Sequence, residues 1–139
     1  MTKEVRLALS HIAIACPAIH EVLKQLEVLN LKIEKSHDIP TEMVKAAFIP
    51  VDVSDQFRLE LLEPTAADSP ITKFLSTRTK GGLHHISFEV ESIETWKATL
   101  EAAGIEVLKP RIRKAARGRA LFIHPSHMAG VLVELEELA

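Results

Sequence analysis

The chain carries an internal repeat that appears when the sequence is shifted against itself by 74 positions without a gap. The shift superposes residues 9–14 on 83–88 and residues 59–61 on 133–135. It places His11 on His85 and Glu60 on Glu134 at the same time. A duplicated structural unit in which each copy contributes the same side chains produces such a pattern. The repeat therefore predicts two similar modules, each donating one imidazole and one carboxylate.

The composition is that of a globular protein with one domain, since the 139 residues are 47% hydrophobic and 26% charged. A chain of this size buries about two-thirds of its unfolded surface, so its stability requires no structural metal. The single Cys16 excludes an internal disulfide. The sequence has no apolar leader, no long apolar run and a net charge of -2. These features predict a cytoplasmic protein with neither a membrane nor a nucleic-acid partner.

The first module, at about residues 5–63, begins with an alternating segment that predicts a strand with His11 on the face away from Ile12 and Ile14. Apolar residues then recur at helical spacing as far as Leu29, and Asn30 follows at the position of a left-handed cap. The module therefore opens with a strand and a helix.

Three further strands complete this module. Residues 31–33 and 43–49 are predicted as two of them, separated by a charged turn that contains Asp38 and Pro40. Residues 57–62 form the third, with Glu60 on the face opposite its apolar side chains. If both apolar faces pack under the helix, Glu60 faces the same side as His11.

A connector at about residues 64–80 is predicted to contain a short helix, with Ser69 as its N-cap and Pro70 at the first helical position. The second module, at about residues 81–139, repeats the first: a strand, a helix capped by Ser92 and closed at Gly104, and further strands. Strand alternation separates His85 from His84, which is expected to pack beneath a helix.

A basic run lies on the segment that follows the second helix, and it contains Arg111, Arg113, Arg117 and Arg119. Two interpretations have about equal weight. The run holds a phosphorylated ligand, or it is a solvated hairpin whose charges face water.

The fold class that follows is α+β, with two βαβββ repeats forming an open, cup-shaped mixed sheet and the helices outside. Inside it we expect four side chains to converge: His11, Glu60, His85 and Glu134. Two imidazoles and two carboxylates suit a divalent ion such as zinc, cobalt, nickel or manganese. An open site of this kind predicts Lewis-acid catalysis, in which the ion neutralises charge that develops on a substrate carbonyl as an enolate forms.

Several strings of the sequence resemble the vicinal oxygen chelate superfamily and, within it, the methylmalonyl-CoA epimerase family. The resemblance runs nearly end to end, and its family-specific strings are Leu-His-His at 83–85 and Gly-Val-Leu-Val-Glu-Leu at 130–135. It implies the four metal ligands that the repeat selects independently.

The resemblance also implies a reaction and its partners. The family removes the proton between a carboxylate and a thioester and returns it to the opposite face, with Glu134 suited to one proton transfer. Counting along the chain places Lys45 where some relatives carry the second base. The implied cofactor is Co²⁺ or Zn²⁺, with Ni²⁺ or Mn²⁺ as alternatives, the implied partner is an acyl-CoA, and the assembly is a homodimer. The basic run departs from the family, whose members are richer in glycine there, so Arg111, Arg113, Arg117 and Arg119 are candidates for holding the CoA phosphates by their charge.

Three other functions fit a site of this type. A glyoxalase-type isomerase would act on a hemithioacetal without CoA. A non-catalytic member of the superfamily would bind a small ligand, although buried carboxylates without an ion would be costly. An extradiol dioxygenase would need two histidines and one carboxylate around iron, and the fourth ligand Glu60 disfavours it.

Overall fold

The protein has the predicted α+β composition, with the βαβββ order present in both modules. The structure is a computed structural model that describes residues 7–51 and 57–139. In chain order its helices and strands are β1 (Ala8–Ala15), α1 (Ile19–Val28), β2 (Lys35–Ile39), β3 (Val44–Pro50), β4 (Arg58–Pro64), α2 (Pro70–Leu75), β5 (Gly82–Glu89), α3 (Ile93–Ala102), β6 (Arg113–Ala115), β7 (Gly118–Ile123) and β8 (Val133–Leu138).

Two compact units make up the described chain, and the first spans His11–His85. Its strands follow the order β2-β3-β4-β1, in which β1 runs parallel to β4 and the other pairs are antiparallel. One face of these strands carries a core of Cys16, Ile19, Ala47, Ile49 and Leu61, against which the apolar stripe of α1 packs. The helix therefore covers this face, which we call the α1 face. The opposite face, which carries His11 and Glu60, is called the His11 face.

The second unit joins Ile86–Ala139 to the described residues up to Ser10. Its strands follow the order β5-β8-β7-β6, with β5 parallel to β8 and antiparallel pairing elsewhere. The core beneath α3 contains Ile93, Leu100, Leu121 and Leu135, all buried. Helix α3 thus occupies in this unit the place that α1 occupies in the other.

The repeat extends to the strand register. In the first unit Ala13 of β1 lies beside Glu60 of β4, and in the second unit Ser87 of β5 lies beside Glu134 of β8. Ala13 and Ser87 each follow a repeated histidine by two positions, which returns the side chain to the same strand face. Each glutamate therefore shares a strand face with the histidine of its own copy.

The predicted helix ends are confirmed. The hydroxyl of Ser69 accepts a hydrogen bond from the amide of Ile71, and that of Ser92 accepts one from Thr95. Asn30 and Gly104, which end the equivalent helices, have left-handed φ values of 60° and 74°. These features are local in sequence, and a side chain beside the helix end suffices to produce them.

The prediction of a strand at residues 31–33 is wrong, since the strand lies at Lys35–Ile39 and contains Asp38, which was assigned to a turn. The amide of Leu31 instead bonds the carbonyl of Leu26 at 3.0 Å, and its side chain packs against the core under α1. The apolar residues that suggested a strand instead form the end of α1 and its contact with the core. The strand that pairs with β3 is consequently the charged segment that follows them.

Gly81 precedes β5 with a φ of +103°, and a Cβ added there would meet the carbonyl oxygen of Ala15 at 2.4 Å. We expect Gly81→Ala to lower the free energy of unfolding by about 2–4 kcal/mol, because backbone strain adds to a backbone collision. Urea unfolding measures the change. Gly104→Ala is the matched control, since Gly104 has a φ of +74° with nothing within 4 Å, and it should cost about 1 kcal/mol. Equal losses in the two variants would contradict the collision.

Candidate metal centre and active site

Three buried side chains that the sequence selected converge in the His11–His85 unit. The Nε2 atoms of His11 and His85 lie 3.2 Å apart. Oε1 of Glu60 lies 3.5 Å from each of these nitrogens. The three residues are 1%, 3% and 5% exposed. Strands β1 and β4 position His11 and Glu60, and β5 carries His85.

This arrangement fits a divalent ion. Metal bonds of about 2.0–2.2 Å hold neighbouring ligand atoms roughly 3.0–3.5 Å apart in tetrahedral or octahedral geometry. The observed separations of 3.2 and 3.5 Å lie in that range. Two imidazole nitrogens that face each other with a carboxylate also form a donor set for zinc, cobalt, nickel or manganese. The residues present can therefore hold the ion that the sequence predicts.

His84 contacts the second ligand directly. Its Nδ1 lies 2.8 Å from Nδ1 of His85, and its ring packs edge-on against Phe74 of α2 at 5.1 Å between centroids. His84 thus packs against α2, and strand alternation did not reveal its contact with His85. If His85 donates from Nδ1 to His84, its Nε2 lone pair is left for a metal. The contact is therefore compatible with His85 as a ligand, and it restrains the orientation of the His85 ring.

We expect His84→Phe to weaken divalent-metal binding about 10- to 100-fold, the usual cost of losing a side chain that orients a ligand. The phenyl ring preserves the packing against Phe74 but removes the nitrogen that His85 contacts. Titration calorimetry with Zn²⁺ gives the affinity. Phe74→Leu keeps that nitrogen and is the control, so an equal loss in both variants would assign the effect to packing.

Glu134 lies on β8 in the second unit and is 6% exposed. Its neighbour in register on β5 is Ser87, whose side chain is fully buried, while Phe122 of β7 lies on its other side. Glu134 is thus a buried carboxylate, a side chain of a type that can ligate a metal ion. The hydroxyl of Ser87 has no counterpart in the first module, where Ala13 takes its place. The two copies therefore differ in polarity beside the glutamate.

Lys45 occupies a different face from the one that the sequence argument requires. Phe48 is the neighbour of Glu60 in register, so the two share the His11 face. Lys45 lies three residues before Phe48, which turns its side chain to the α1 face. It is exposed there between Asp38 of β2 and Glu63 of β4. This geometry disfavours Lys45 as a proton carrier at a substrate held by His11 and Glu60.

Two arginines of the basic run are held by carboxylates of the protein. Arg119 bonds both Glu94 and Glu137, and these bonds raise its pKa. Arg117 donates from Nη2 to the buried Oε1 of Glu136 at 2.8 Å. A phosphate at either position would face a carboxylate, so the structure disfavours these two arginines as phosphate ligands.

The other two arginines, Arg111 and Arg113, make different contacts. Arg111 is 48% exposed in its side chain and lies 3.5 Å from Glu101. Arg113 stacks over the ring of Phe122 at 5.0 Å and donates to the carbonyls of Lys109 and Pro110. The segment is a β6–β7 hairpin, as in the solvated-hairpin interpretation of the run.

Cys16 is a buried thiol that packs in the core under α1. Burial, with a smaller contribution from the charge of Glu63, raises its pKa to about 11. The thiol therefore stays protonated at neutral pH and behaves as the small apolar residue that its sequence neighbours indicate.

Two polar residues near this site were missed by the sequence argument. Ser87 was assigned only to a strand face, and His37 fell in a segment that was interpreted as a turn. The repeat could not have revealed them, because the 74-residue shift pairs Ser87 with Ala13 and His37 with Arg111.

Comparison with known proteins identifies the family to which the chain is similar. A family model for the Glyoxalase/Bleomycin resistance protein/Dioxygenase superfamily matches residues 10–122. An ethylmalonyl-CoA/methylmalonyl-CoA epimerase of Cereibacter sphaeroides is 37% identical over 135 residues, which cover 94% of this chain and 97% of that protein.

Solved structures show the same similarity. A methylmalonyl-CoA epimerase of Streptomyces coelicolor, in complex with 2-nitronate-propionyl-CoA, superposes with a TM-score of 0.87 at 30% identity, covering 96% of this chain and 99% of the other. The methylmalonyl-CoA epimerase of Mycobacterium tuberculosis has a TM-score of 0.89 at 24% identity, covering 100% and 93% of the two chains. The latter similarity shows the fold alone, and it confirms the predicted fold class.

Proposed function

Because the chain belongs to the Glyoxalase/Bleomycin resistance protein/Dioxygenase superfamily, we propose that it is a metal-dependent epimerase that interconverts (R)- and (S)-methylmalonyl-CoA. Its named relatives are epimerases of this kind, at 33–37% identity over most of the chain. The observation that carries the proposal is the convergence of His11, Glu60 and His85, whose donor atoms lie 3.2–3.5 Å apart. These residues would hold a divalent ion, which would supply Lewis-acid chemistry to a bound substrate.

We assign four residues to the metal: His11, Glu60, His85 and Glu134. Glu134 is included because the repeat gives it the position of Glu60 and because its register with β5 repeats that of Glu60 with β1. Zn²⁺ and Co²⁺ suit mixed imidazole and carboxylate ligands best, and Ni²⁺ and Mn²⁺ are compatible. When bound, the ion supplies Lewis-acid stabilisation of the negative charge that develops on the substrate's carbonyl oxygen.

Glu134 is also the proposed proton acceptor for one face of the substrate. A carboxylate at 6% exposure is largely shielded from water, which strengthens its interaction with the acidic hydrogen. The malonyl carbon loses its proton to this carboxylate, and the electron pair of the C–H bond spreads into the adjacent carbonyl groups. The buried surroundings of the site protect this carbanion from quenching by bulk water.

The CoA moiety needs cationic groups for its phosphates. We propose the four arginines of the basic run for this role. Arg111 is the best placed of them, because its side chain is 48% exposed and lies 3.5 Å from Glu101, whereas Arg117 and Arg119 bond carboxylates at 2.5–2.8 Å. A homodimer remains a prediction, and sedimentation analysis tests it. None of the described helices is long and apolar enough to cross a bilayer.

The test is conversion of each methylmalonyl-CoA epimer by the purified protein with added Co²⁺, followed by chiral chromatography. We expect equilibration of the two epimers, and ethylmalonyl-CoA serves as a second substrate. Inactivity on both thioesters combined with activity on a glutathione hemithioacetal would overturn the proposal in favour of a glyoxalase-type isomerase. Tight binding without turnover of any of these compounds would instead indicate a ligand-binding member of the superfamily.

A further inference from the structure

We infer that His37 is the second proton carrier of the site and serves the face of the substrate carbon opposite Glu134. The inference rests on the proposed epimerase function and gives it the partner base that Lys45 does not supply. Inversion at a carbon requires proton transfer on two faces. His37 is an imidazole, a side chain that can both accept and donate a proton in general acid–base catalysis.

Strand register places His37 on the His11 face. His37 of β2 lies beside Ala46 of β3, which lies beside Leu62 of β4. Leu62 follows Glu60 by two positions, so all these side chains project from the face that carries Glu60. His37 therefore lies on the His11 face, whereas Lys45 lies on the α1 face.

Contacts of the ring connect His37 to the proposed metal ligands. The His37 ring packs edge-on against Phe48 at 5.8 Å between centroids, and Phe48 packs edge-on against His11 at the same distance. The centroids of the two imidazoles therefore lie no more than twice that distance apart, and both rings contact the same phenyl ring.

The Nε2 atom of His37 is buried and has no hydrogen-bond partner among the described residues. A buried polar nitrogen without a partner costs about 1–3 kcal/mol, and such a cost is tolerated where the group serves a function. His37 lies on β2, the outermost strand of its unit, between the exposed residues Ser36 and Asp38. An imidazole at such an edge can turn to water, yet its Nε2 is buried.

Other ionisable side chains on the His11 face of β1 to β4 are poor alternatives. Among the described residues, those on this face are His11, Lys35, His37, Arg58 and Glu60. His11 and Glu60 are assigned to the metal. Lys35 is exposed, and Arg58 is always charged and bonds Glu34 at 3.0 Å. Among the described residues of this face, His37 is thus the side chain best suited to carry a proton to and from the substrate.

The proton balance of the reaction is complete with this pair. In one direction Glu134 accepts the proton of the malonyl carbon and imidazolium His37 donates a proton to the opposite face, which forms the new C–H bond. In the reverse direction neutral His37 accepts and the Glu134 carboxyl donates. Exchange with water restores both groups, so no further reactant is consumed.

The experiment compares the wild-type protein with His37→Asn in deuterium oxide, using each epimer separately. We expect interconversion to fall at least 100-fold, the usual contribution of a positioned acid or base. The epimer that meets Glu134 should still exchange its α-hydrogen with solvent, while exchange from the other epimer is lost. The bound Zn²⁺ stoichiometry and the melting temperature should stay unchanged.

Lys45→Met is the matched control, because it alters the other face of a neighbouring strand, and it should leave both exchange rates unchanged. Equal loss of exchange from both epimers, or loss of metal, would overturn the role of His37 and assign it to structure. Unchanged interconversion in His37→Asn would also overturn it. Failure of the epimerase proposal is distinguishable, since the wild-type protein itself would then exchange neither epimer.

Discussion

His85→Ala is expected to abolish stoichiometric metal binding and to reduce epimerase activity by about 10³-fold or more, since a metal stabilises developing charge by several kcal/mol. His85 contributes one of the two facing Nε2 atoms, 3.2 Å from His11 and 3.5 Å from Glu60. Removing it leaves too few ligands on β1, β4 and β5 to hold an ion tightly. Elemental analysis of the purified variant and calorimetric titration with Co²⁺ measure the loss.

The control for this prediction is His20→Ala, which removes an exposed imidazole from α1. It should keep full metal content and activity. Circular dichroism checks that His85→Ala remains folded, because an unfolded variant would lose metal for a trivial reason. A folded His85→Ala protein that retains one ion per chain would contradict the proposed site.

Arg117→Met is expected to lower the free energy of unfolding by about 3–5 kcal/mol, because it removes a guanidinium that bonds a buried carboxylate. Glu136 is 2% exposed, and its Oε1 accepts from Arg117 Nη2 at 2.8 Å and from the hydroxyl of Ser10 at 3.0 Å. The hydroxyl of Ser10 also accepts from Arg117 at 2.8 Å. A loss of that size lowers the melting temperature by about 10 °C in a domain of this length. Thermal and urea unfolding measure it.

Two further variants test the cause. Arg119→Met removes an arginine from exposed ion pairs with Glu94 and Glu137 and should destabilise the protein much less than Arg117→Met. Combining Arg117→Met with Glu136→Met should recover most of the stability, because neither charge then remains buried. If the double variant is as unstable as Arg117→Met alone, the cost arises from packing around the methionine.

The helix boundaries and the ligand candidates were available from the sequence because their causes are local or repeated. Ser69 and Ser92 cap helices whose amides lie two or three residues away. The four ligand candidates could be identified because the duplication places the same residue type at two positions 74 residues apart. They are His11, Glu60, His85 and Glu134. Of these, the structure brings His11, Glu60 and His85 together at 3.2–3.5 Å.

The position of β2, and the face of the sheet to which each β3 side chain points, could be determined only from the tertiary structure. A strand alternates its faces at every residue, so an error of one position in counting exchanges the two faces. The count along the sequence selected Lys45, whereas the register with β4 turns Ala46 toward the Glu60 face. No local signal distinguishes these two neighbours, because the choice depends on which residue of β4 each one meets.

The sequence by itself determined that this protein has two βαβββ copies and that each supplies a histidine and a glutamate of matching position. Only the tertiary structure decided what surrounds those ligands. It showed that His84 contacts His85 through Nδ1, that Glu94 and Glu137 hold Arg119, and that His37 shares the face of Glu60. The physical reason is that candidate ligands can be recognised from residue type and from their repetition along the chain. Contacts across strands depend instead on strand register, which is set only when distant segments pair.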